Sequence, residues 1–365
     1  MSTTTPSSTA RPRFAIVGAG VIGKQHGRVM SQLEDRLELV AVVDVALDRA
    51  EALAAERGGQ AFASLKEALD AVDVDVVSVC TPTGLHGVVA IEALDAGKHV
   101  VIEKPAEVTT EKTDEIIAAQ QRAGTLVTVI SQHRFDPATE VVLDAIRDGR
   151  LGRVTSGIAA IDWWRSQSYY DSGDWRGTWE LDGGGAMMNQ GVHTVDLLIA
   201  ALGKPVEVFA YTGTLAHDRV ETEDVATAVV KFESGALGMV HATTAAYPGL
   251  SARLQIHGDH GSVVIDNDNL AFIHLAPADA PAGAGNPPDT DNQVDAYAST
   301  AEASAAAAND PGQLSDAHRL QYLNVLGALD GTQELRVDLA TNRQAIAVIT
   351  GAYESARTGR PVSLA

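Results

Sequence analysis

Two short stretches of the sequence hold residue types that can act on a hydroxyl group. Lys104 ends an apolar run in the stretch "IEKP", and "DGGGAMMNQGVHTVD" (182–196) places Asn189 four residues before His193. A helix beginning near residue 186 would present Asn189 and His193 on one face. Histidine exchanges protons near neutral pH, and a lysine ammonium stabilises negative charge that develops on oxygen. Taken alone, however, a histidine on such a helix is slightly better explained as a structural residue.

A glycine motif near the N-terminus predicts a dinucleotide site. Gly18, Gly20 and Gly23 form the pattern G-x-G-x-x-G between a predicted strand at 13–18 and a predicted helix at 23–33. In this pattern the first glycine permits a tight turn, and the second lets the backbone approach a pyrophosphate. The third glycine lets the helix pack closely on the strand, with the phosphates at the positive helix N-terminus.

Polar residues at the ends of further predicted strands complete the expected cofactor site. Asp44 can accept hydrogen bonds from the ribose hydroxyls and repels a 2′-phosphate, which favours NAD, although nearby Arg49 leaves NADP possible. The stretches "TPTGLH" and "IEKP" also follow predicted parallel strands, where an open sheet binds its ligands. The expected cofactor contacts are Gly18, Gly20, Val21, Ile22, Gly23, Asp44, Thr81, Pro82, His86, Glu103 and Lys104.

The pattern of apolar runs predicts two α/β domains. Over residues 13–133, short β-rich runs alternate with amphipathic helical segments, as in a doubly wound parallel sheet of the Rossmann type. Residues 134–365 contain longer adjacent strands, which indicate a large, mainly antiparallel sheet. Residues 276–313, rich in Ala, Pro, Asp and Asn, are expected to be a surface insertion, and residues 1–12 a disordered tail.

The composition excludes several classes of partner. The chain has 365 residues and a formal net charge of −21, so nucleic acid and anionic membrane surfaces would repel it. Its one cysteine, Cys80, can form no intrachain disulfide and is expected to be buried. The histidines show no spacing typical of metal ligands. Because no apolar run is long enough to span a bilayer and no signal peptide is present, a cytoplasmic protein is expected.

Four of these motifs together resemble the Gfo/Idh/MocA family of NAD(P)-dependent sugar and cyclitol oxidoreductases. They are "VGAGVIG", "TPTGLH", "EKP" and "GGGAMMNQGVHTVDLL", and the similarity extends from about residue 13 to the C-terminus. The resemblance implies an N-terminal Rossmann domain and a C-terminal α/β domain whose open sheet commonly supports oligomers. It therefore implies a homodimer or homotetramer that acts on a small polyhydroxylated substrate.

The resemblance also assigns catalytic roles. In the family, the lysine of EKP, a polar residue four positions before the histidine, and the histidine itself act together, and they correspond to Lys104, Asn189 and His193. His193 is then expected to accept the proton of a secondary alcohol while hydride leaves carbon for nicotinamide, and Lys104 to stabilise the alkoxide. The family commonly has aspartate where this chain has Asn189. Because asparagine cannot accept a proton, Asn189 is expected only to orient the substrate.

Neighbouring residues of the same segment carry two further expectations. Gly183, Gly184 and Gly185 would let the backbone lie against nicotinamide or substrate, where a side chain would clash. Asp196, three residues after His193, either orients the histidine ring or is a solvated helix residue.

The stretch 162–179 contains all four tryptophans together with Arg165 and Arg176, a composition that suits a carbohydrate ring. "GTWELDGGGAMMNQGVH" also resembles the branch of the family that oxidises the 3-hydroxyl of nucleotide-sugar uronic acids, so the arginines could meet a carboxylate or a diphosphate. A patch for domain or subunit packing is the alternative, and free sugars, glycosides and inositols are equally compatible. The expected substrate contacts are Lys104, Arg134, Trp164, Arg165, Arg176, Asn189 and His193.

Two other functions stay open at this point. The first is a non-catalytic, dinucleotide-binding regulator on the same fold, which Asn189 favours and which Lys104 and His193 argue against. The second is an NADPH-dependent ketosugar reductase, against which Asp44 argues because its carboxylate repels a 2′-phosphate.

Overall fold

The structure, a computed structural model, describes residues 11–277, 291–297 and 314–364. The apolar runs of the first part of the chain form a sheet whose strands are β1 (Arg13–Val17), β2 (Glu38–Val43), β3 (Gln60–Phe62), β4 (Val76–Val79), β5 (His99–Ile102) and β6 (Val127–Val129). They lie in the order β3-β2-β1-β4-β5-β6 and every pair is parallel. The predicted Rossmann sheet is therefore confirmed.

Helices cover this sheet and bring the motifs to its carboxyl edge. They are α1 (Val21–Ser31), α2 (Leu47–Arg57), α3 (Leu65–Ala71), α4 (His86–Asp95) and α5 (Thr110–Ala123). The central strands β1, β4 and β5 are almost wholly buried, as expected when helices pack on both faces. Cys80, directly after β4, is buried as its sequence context predicts. The glycine motif follows β1, and Lys104 follows β5, so both stand at the edge where open α/β sheets bind ligands.

The second sheet is larger and mainly antiparallel, as predicted. Its strands are β7 (Val154–Asp162), β8 (Pro205–Gly213), β9 (Val225–Phe232), β10 (Leu237–Thr243), β11 (Ala252–Gly258), β12 (Gly261–Asp266), β13 (Asn269–Leu275) and β14 (Val362–Ser363). They lie in the order β13-β12-β11-β7-β10-β9-β8-β14. Strands β7 and β10 pair in parallel, and the other neighbours pair antiparallel.

Helices pack on one face of the second sheet and leave much of the other uncovered. The remaining helices of the described residues are α6 (Pro137–Arg147), α7 (Gln167–Tyr170), α8 (Val192–Leu202), α9 (Leu314–Leu329) and α10 (Leu339–Thr358). Buried and exposed residues alternate along β9, because one face of the strand meets the helices and the other does not. The uncovered face exposes the large apolar side chains of Tyr211, Val229 and Leu237.

Both C-terminal helices return to the Rossmann sheet, and α10 also packs against the second sheet. Tyr322 of α9 is fully buried, and its ring centroid lies 5.8 Å from that of Phe14 in β1. On α10, Ile346 belongs to the core of the Rossmann sheet, whereas Ile349 belongs to the core of the second sheet. A division of the chain between residues 133 and 134 does not account for these C-terminal residues in the core of the Rossmann sheet. The domain boundaries themselves stay a prediction.

Two predicted segments lie largely outside the described residues. They are the tail at 1–12, of which only residues 11 and 12 are described, and the insertion at 276–313. Within the insertion, residues 291–297 are described and adjoin β13, where Gln293 donates its backbone N–H to the carbonyl of Ile273 at 2.8 Å. In the part of the chain that the structure describes, no helix is long and apolar enough to cross a membrane.

Candidate active site

The glycine motif forms the turn between β1 and α1. Gly18 has a φ of +102°, and a Cβ there would lie 2.6 Å from the carbonyl oxygen of Cys80. A Cβ on Gly23 would lie 1.9 Å from the carbonyl oxygen of Gly18, so the helix can approach the turn only with glycine at this position. A Cβ on Gly20 would meet nothing within 4 Å. Gly18 and Gly23 are therefore required for packing, whereas Gly20 leaves open space that fits a phosphate.

Asp44 ties this turn to the end of β2. Its Oδ2 accepts the N–H of Ala19 at 2.8 Å, and its Oδ1 accepts the N–H of Ala46 at 2.9 Å. A carboxylate offers about four acceptor positions, so the ribose hydroxyls of a dinucleotide can still be accommodated. Val21 is exposed beside the turn, whereas Ile22 packs against the core beneath β1. The turn, Asp44 and Val21 thus fit a dinucleotide, and Ile22 supports the turn from the core side.

His86 joins the loops that follow β4 and β5. Its two ring nitrogens lie 2.9 Å from the carbonyl oxygen of Thr81 and 2.8 Å from that of Pro105. The ring is buried, and burial lowers the pKa of His86. A neutral imidazole can donate to only one of the two carbonyls at a time. The geometry gives His86 the position of a brace behind Thr81 and Pro82, whereas the sequence suggested direct contact with the cofactor.

A buried cluster of His26, Glu103 and His318 lies behind Lys104. The Oε1 of Glu103 lies 2.8 Å from Nε2 of His26 and 3.6 Å from Nε2 of His318. Its Oε2 accepts the N–H of Lys104 at 3.0 Å. Burial alone would raise the pKa of Glu103, but the two histidines hold it well below its usual range. Glu103, expected as a cofactor contact, therefore faces inward and fixes the backbone of Lys104.

The structure brings Lys104 and Asn189 together. The Nζ of Lys104 donates to the backbone carbonyl of Asn189 at 2.8 Å. The side-chain amide of Asn189 donates to Oδ1 of Asp182 at 2.5 Å, and Oδ2 of Asp182 accepts the N–H of Gly177 at 2.8 Å. Burial lowers the pKa of Lys104, although Glu103 and Asp182 act to raise it. Burial also raises the pKa of Asp182.

The backbone between Asn189 and His193 departs from the predicted helix. Ala186–Gln190 forms a π-helical turn, and α8 begins only at Val192, after Gly191. The prediction of one continuous α-helix through both residues is therefore wrong. Because a π-helical turn is wider than an α-helical one, the four-residue spacing does not set the relative directions of the two side chains.

The three glycines before this turn are explained by contacts within the protein. A Cβ on any of them would lie far inside van der Waals contact with another residue. The nearest atoms would lie 2.6 Å away at Gly183 (Val108), 2.3 Å away at Gly184 (Tyr353) and 1.7 Å away at Gly185 (Glu223). The expectation that these glycines make room for nicotinamide or substrate is therefore replaced by a packing requirement.

Glu223 holds the beginning of the π-helical turn. Its Oε2 accepts the N–H of Gly185 and its Oε1 accepts the N–H of Met187, both at 2.8 Å. The hydroxyl of Tyr353 donates to the same Oε1 at 3.0 Å. Burial raises the pKa of Glu223 to about 7, although these hydrogen bonds oppose the shift. One buried carboxyl thus fixes the backbone that carries Asn189.

His193 lies at the beginning of α8. Among the described residues, none hydrogen-bonds its ring, which instead contacts the ring of His133 with centroids 5.0 Å apart and planes at 77°. Burial, the charge of Lys104 and the charge of His133 hold the pKa of His193 well below its usual range. The ring is therefore neutral at physiological pH and can accept a proton.

Asp196 pairs with Arg134 and not with His193. Its Oδ2 accepts Nε of Arg134 at 2.6 Å, its Oδ1 accepts Nη2 at 2.7 Å, and both side chains are buried. Both expectations for Asp196 are therefore wrong, since it neither orients His193 nor faces solvent. The same bidentate pair occupies the guanidinium of Arg134, so the structure does not present Arg134 to a substrate as the sequence suggested.

Arg165 and Arg176 lie over aromatic rings of their own segment. The guanidinium carbon of Arg176 lies 4.3 Å from the ring centroid of Tyr169 and 4.4 Å from that of Trp175. The guanidinium carbon of Arg165 lies 5.2 Å from the Tyr169 centroid. Both charges act to lower the pKa of Lys104. Lys104, Arg165 and Arg176 therefore lie close enough to interact, next to the carboxylates of Glu103 and Asp182, and the three cations are called the cationic cluster below.

The four tryptophans, although adjacent in sequence, have different neighbours. Trp163 packs against the core of the second sheet, and Trp175 lies under Arg176. The ring of Trp164 meets that of Tyr247 with centroids 5.3 Å apart, and the ring of Trp179 meets that of Tyr353 at 5.1 Å. Clustering in the sequence has thus not produced a single aromatic surface.

Comparison with known proteins finds a family match for each of the two sheets of the chain. Residues 12–131 match the model of an oxidoreductase family with an NAD-binding Rossmann fold, and residues 139–264 match the Gfo/Idh/MocA C-terminal domain. The chain belongs to the Gfo/Idh/MocA oxidoreductase family. Its relatives in the family include the inositol 2-dehydrogenase of Rhizobium meliloti, 29% identical over 81% of this chain and 88% of that protein.

Solved structures of this family cover the whole fold. The WlbA dehydrogenase from Bordetella pertussis, in complex with NADH and UDP-GlcNAcA, is 35% identical over 99% of each chain, with a TM-score of 0.85. The WlbA dehydrogenase from Chromobacterium violaceum, with the same two ligands, is 33% identical with a TM-score of 0.86 and covers 100% of this chain and 99% of that chain. The chain is thus a member of an NAD-binding oxidoreductase family in which its curated relatives include inositol and sugar dehydrogenases.

Sequence reasoning missed several residues that shape this family site. Asp182 directly precedes the three glycines, and its position in the quoted stretch was the only signal available for it. Glu223 and His133 lie far from the catalytic motifs in sequence, in "ETED" and "SQHRF". His26 follows the glycine motif by three residues, which places it on the buried side of α1. Only the folded chain brings these groups together.

Proposed function

We propose that this protein oxidises a secondary alcohol of an anionic sugar derivative with NAD, and that nucleotide-sugar uronic acids are its substrate class. The observation that carries the proposal is the cationic cluster, in which Arg165 and Arg176 lie over the Tyr169 ring and act together with Lys104 and His193. Guanidinium groups bind carboxylate and phosphate oxygens in two-pronged geometry. The WlbA dehydrogenases, crystallised with UDP-GlcNAcA and similar over the full chain, support the same substrate class.

The side chains of the site divide the work of alcohol oxidation. NAD, when bound, supplies the acceptor for the hydride. A ring nitrogen of His193 accepts the hydroxyl proton, since the ring is neutral and no described residue occupies its nitrogens. The ammonium of Lys104 donates to the same substrate oxygen and stabilises the negative charge that develops on it. Asn189, held by Asp182, orients the substrate and takes no proton.

The cofactor is proposed to be NAD in preference to NADP. Asp44 lies at the end of β2 with both oxygens fixed by backbone N–H groups of the turn. A carboxylate in this place repels the 2′-phosphate of NADP. We expect Asp44→Asn to raise the ratio of kcat/KM for NADP to that for NAD, because the repulsive charge is lost while an acceptor oxygen remains. An unchanged ratio would show that Asp44 does not set the preference.

A turnover screen tests the substrate proposal. Absorbance at 340 nm is followed with NAD or NADP and, in separate reactions, UDP-GlcNAcA, myo-inositol, glucose, a glucoside and glucuronic acid. We expect reduction of NAD with UDP-GlcNAcA, its loss in His193→Gln, and a raised KM in Arg165→Gln and Arg176→Gln. Arg147→Gln is the matched control, since Arg147 is an exposed arginine on α6 paired with Asp144.

The outcomes of the screen separate the alternatives. Turnover of a neutral polyol with an unchanged KM in both arginine variants would overturn the anionic substrate class. Turnover that survives in His193→Gln would overturn the role of His193 as the base. Tight binding of NAD with no turnover of any substrate would favour the regulator on the same fold.

We also propose that the protein is a homodimer or homotetramer that uses the uncovered face of the second sheet. Tyr211, Val229 and Leu237 expose apolar side chains on neighbouring strands of that face, which a second copy can bury. Light scattering after size-exclusion chromatography is expected to give a multiple of 38.2 kDa for the native chain. Val229→Lys should lower that mass, and a native mass equal to one chain would refute the proposal.

A further inference from the structure

His133 lies in an unusual electrostatic setting at the edge of the active site. It belongs to a short helical turn, Gln132–Phe135, between β6 and α6. Its Nδ1 lies 2.7 Å from Oδ2 of Asp136 and 3.1 Å from Oδ1 of Asp268. All three side chains are at most 36% exposed, so water screens these contacts only partly. One imidazole is thus held by two carboxylates from different parts of the chain.

The second carboxylate comes from a two-residue hairpin turn of the second sheet. Asn267 and Asp268 connect β12 to β13 and have φ values of +45° and +64°. After glycine, asparagine and aspartate are the residues that adopt this left-handed conformation most readily, as in other two-residue hairpin turns. The turn thus holds a carboxylate at its second position. In the folded chain that carboxylate reaches His133, more than a hundred residues away in sequence.

The two carboxylates favour the protonated form of His133. Burial would lower the pKa of His133, but Asp268 and Asp136 outweigh it and raise the pKa to about 10. The ring therefore carries a positive charge throughout the physiological range. Because both carboxylates lie at Nδ1, they also fix the direction in which the ring points.

The ring of His133 packs directly against the ring of His193. The two rings meet nearly at right angles, at 77°, with centroids 5.0 Å apart. No described residue hydrogen-bonds His193, so no carboxylate or carbonyl orients its ring in the way usual for a catalytic histidine. The other charged groups that act on it are Lys104, Glu103 and His318, and the neighbouring Arg134–Asp196 pair is internally balanced.

We propose that His133, locked by Asp136 and Asp268, is a positioning residue that orients His193 and keeps it unprotonated before the substrate binds. This inference rests on the role of His193 in the proposed function. A cation at this distance disfavours a second positive charge on the facing ring. His193 is thereby kept as a proton acceptor, and the proton that it receives during oxidation is readily passed on to solvent.

Direct titration of His193 tests the inference without a substrate. Full-length protein is labelled with [13Cε1]histidine, and the His193 signal is assigned by its loss in His193→Gln. Spectra are recorded from pH 4 to pH 10 for the native protein, His133→Gln and His133→Arg. The arginine variant is the matched control, because it alters the ring yet keeps a positive charge that can pair with both carboxylates.

The two substitutions at His133 should behave differently. In His133→Gln we expect the pKa of His193 to rise by roughly one to two pH units, since a nearby positive charge is lost and two carboxylates remain. In His133→Arg we expect the pKa of His193 to stay close to the native value. With a turned-over substrate, the acid limb of kcat/KM should move to higher pH in His133→Gln and return in His133→Arg.

The failures are distinguishable. A His193 titration that is the same in all three proteins, or shifted equally in both variants, would overturn the positioning role of His133. Activity that survives in His193→Gln would instead overturn the proposed role of His193, whatever the titrations show. If His133→Gln does not fold, Asp268→Asn is titrated in its place. If the pKa of His133 in Asp268→Asn equals the native value, Asp268 does not hold His133 in its charged form and the proposal is refuted.

Discussion

The buried pair Arg134–Asp196 offers a test of whether Arg134 is a structural residue or a ligand for the substrate. Arg134→Met leaves a buried carboxylate without its partner, and Asp196→Leu leaves a buried guanidinium. Two charge-assisted hydrogen bonds, at 2.6 Å and 2.7 Å, are lost in either case. Breaking such a pair from one side costs about 3–5 kcal/mol, because the remaining charge stays in a poorly solvated place.

The double variant Arg134→Met/Asp196→Leu separates the two roles. Replacement of both charges by apolar groups of similar size removes the unpaired charge, and buried pairs treated in this way often lose little stability. We therefore expect the free energy of unfolding to fall by about 3–5 kcal/mol in each single variant and to recover to within about 1 kcal/mol of native in the double variant. Because the guanidinium of Arg134 is buried and paired with Asp196, KM in the double variant should stay close to native.

The assay is urea unfolding followed by far-UV circular dichroism, with steady-state kinetics on the same preparations. The transition must be checked for a single step with a second probe, since two sheets share the C-terminal helices. If the double variant recovers stability but KM rises about tenfold or more, a loss of at least about 1.4 kcal/mol of binding, Arg134 contacts the substrate and the structural reasoning fails. If the double variant is as unstable as the single variants, the cost does not come from an unpaired charge.

Three further predictions concern the glycines, Lys104 and Glu223. Gly20→Ala should leave the thermal midpoint of unfolding unchanged but weaken NAD binding about tenfold. Gly185→Ala should lower the midpoint sharply, because its Cβ would lie 1.7 Å from a backbone oxygen. Differential scanning fluorimetry with and without NAD measures both effects. Since burial lowers the pKa of Lys104, kcat/KM of the native protein should fall as pH rises through that lowered value. Lys104→Arg should abolish this alkaline fall. A pH profile of kcat/KM that is the same in Lys104→Arg as in the native protein would contradict the role of the ammonium. Because the pKa of Glu223 is raised to about 7 in the folded state, its contribution to the free energy of unfolding is present at about pH 4 and is lost as pH rises through about 7. Urea unfolding at pH 5 and pH 8 should show a loss of up to about 3 kcal/mol that Glu223→Gln removes.

The fold and the cofactor turn could be predicted because their signals are local. The spacing of Gly18, Gly20 and Gly23 reports contacts within one strand–turn–helix unit, and the alternation of apolar runs reports the covering of a parallel sheet. In each case the residues that decide the structure lie within a few turns of one another in sequence. The order of the strands, β3-β2-β1-β4-β5-β6, was not predicted, because a repeated βαβ unit does not fix the point at which the order reverses.

The surroundings of the catalytic side chains could not be predicted because their partners are distant in sequence. Asp268 reaches His133 from a hairpin of the second sheet, and His318 reaches Glu103 from a C-terminal helix. Arg134 seemed suited to a substrate anion because guanidinium groups bind carboxylates and phosphates. The carboxylate of Asp196, on another helix, satisfies it instead.

Asn189 shows how such a partner changes the meaning of a substitution within a motif. The resemblance to the family predicts aspartate here, and the loss of a carboxylate from the motif suggests a weakened site. In the structure, however, the amide of Asn189 donates to Oδ1 of Asp182 at 2.5 Å. A second carboxylate at that distance would repel the first and raise the pKa of one of them. The amide removes this repulsion and leaves Asp182 as a negative charge that acts to raise the pKa of Lys104, so a residue seven positions earlier supplies the carboxylate that the motif lacks.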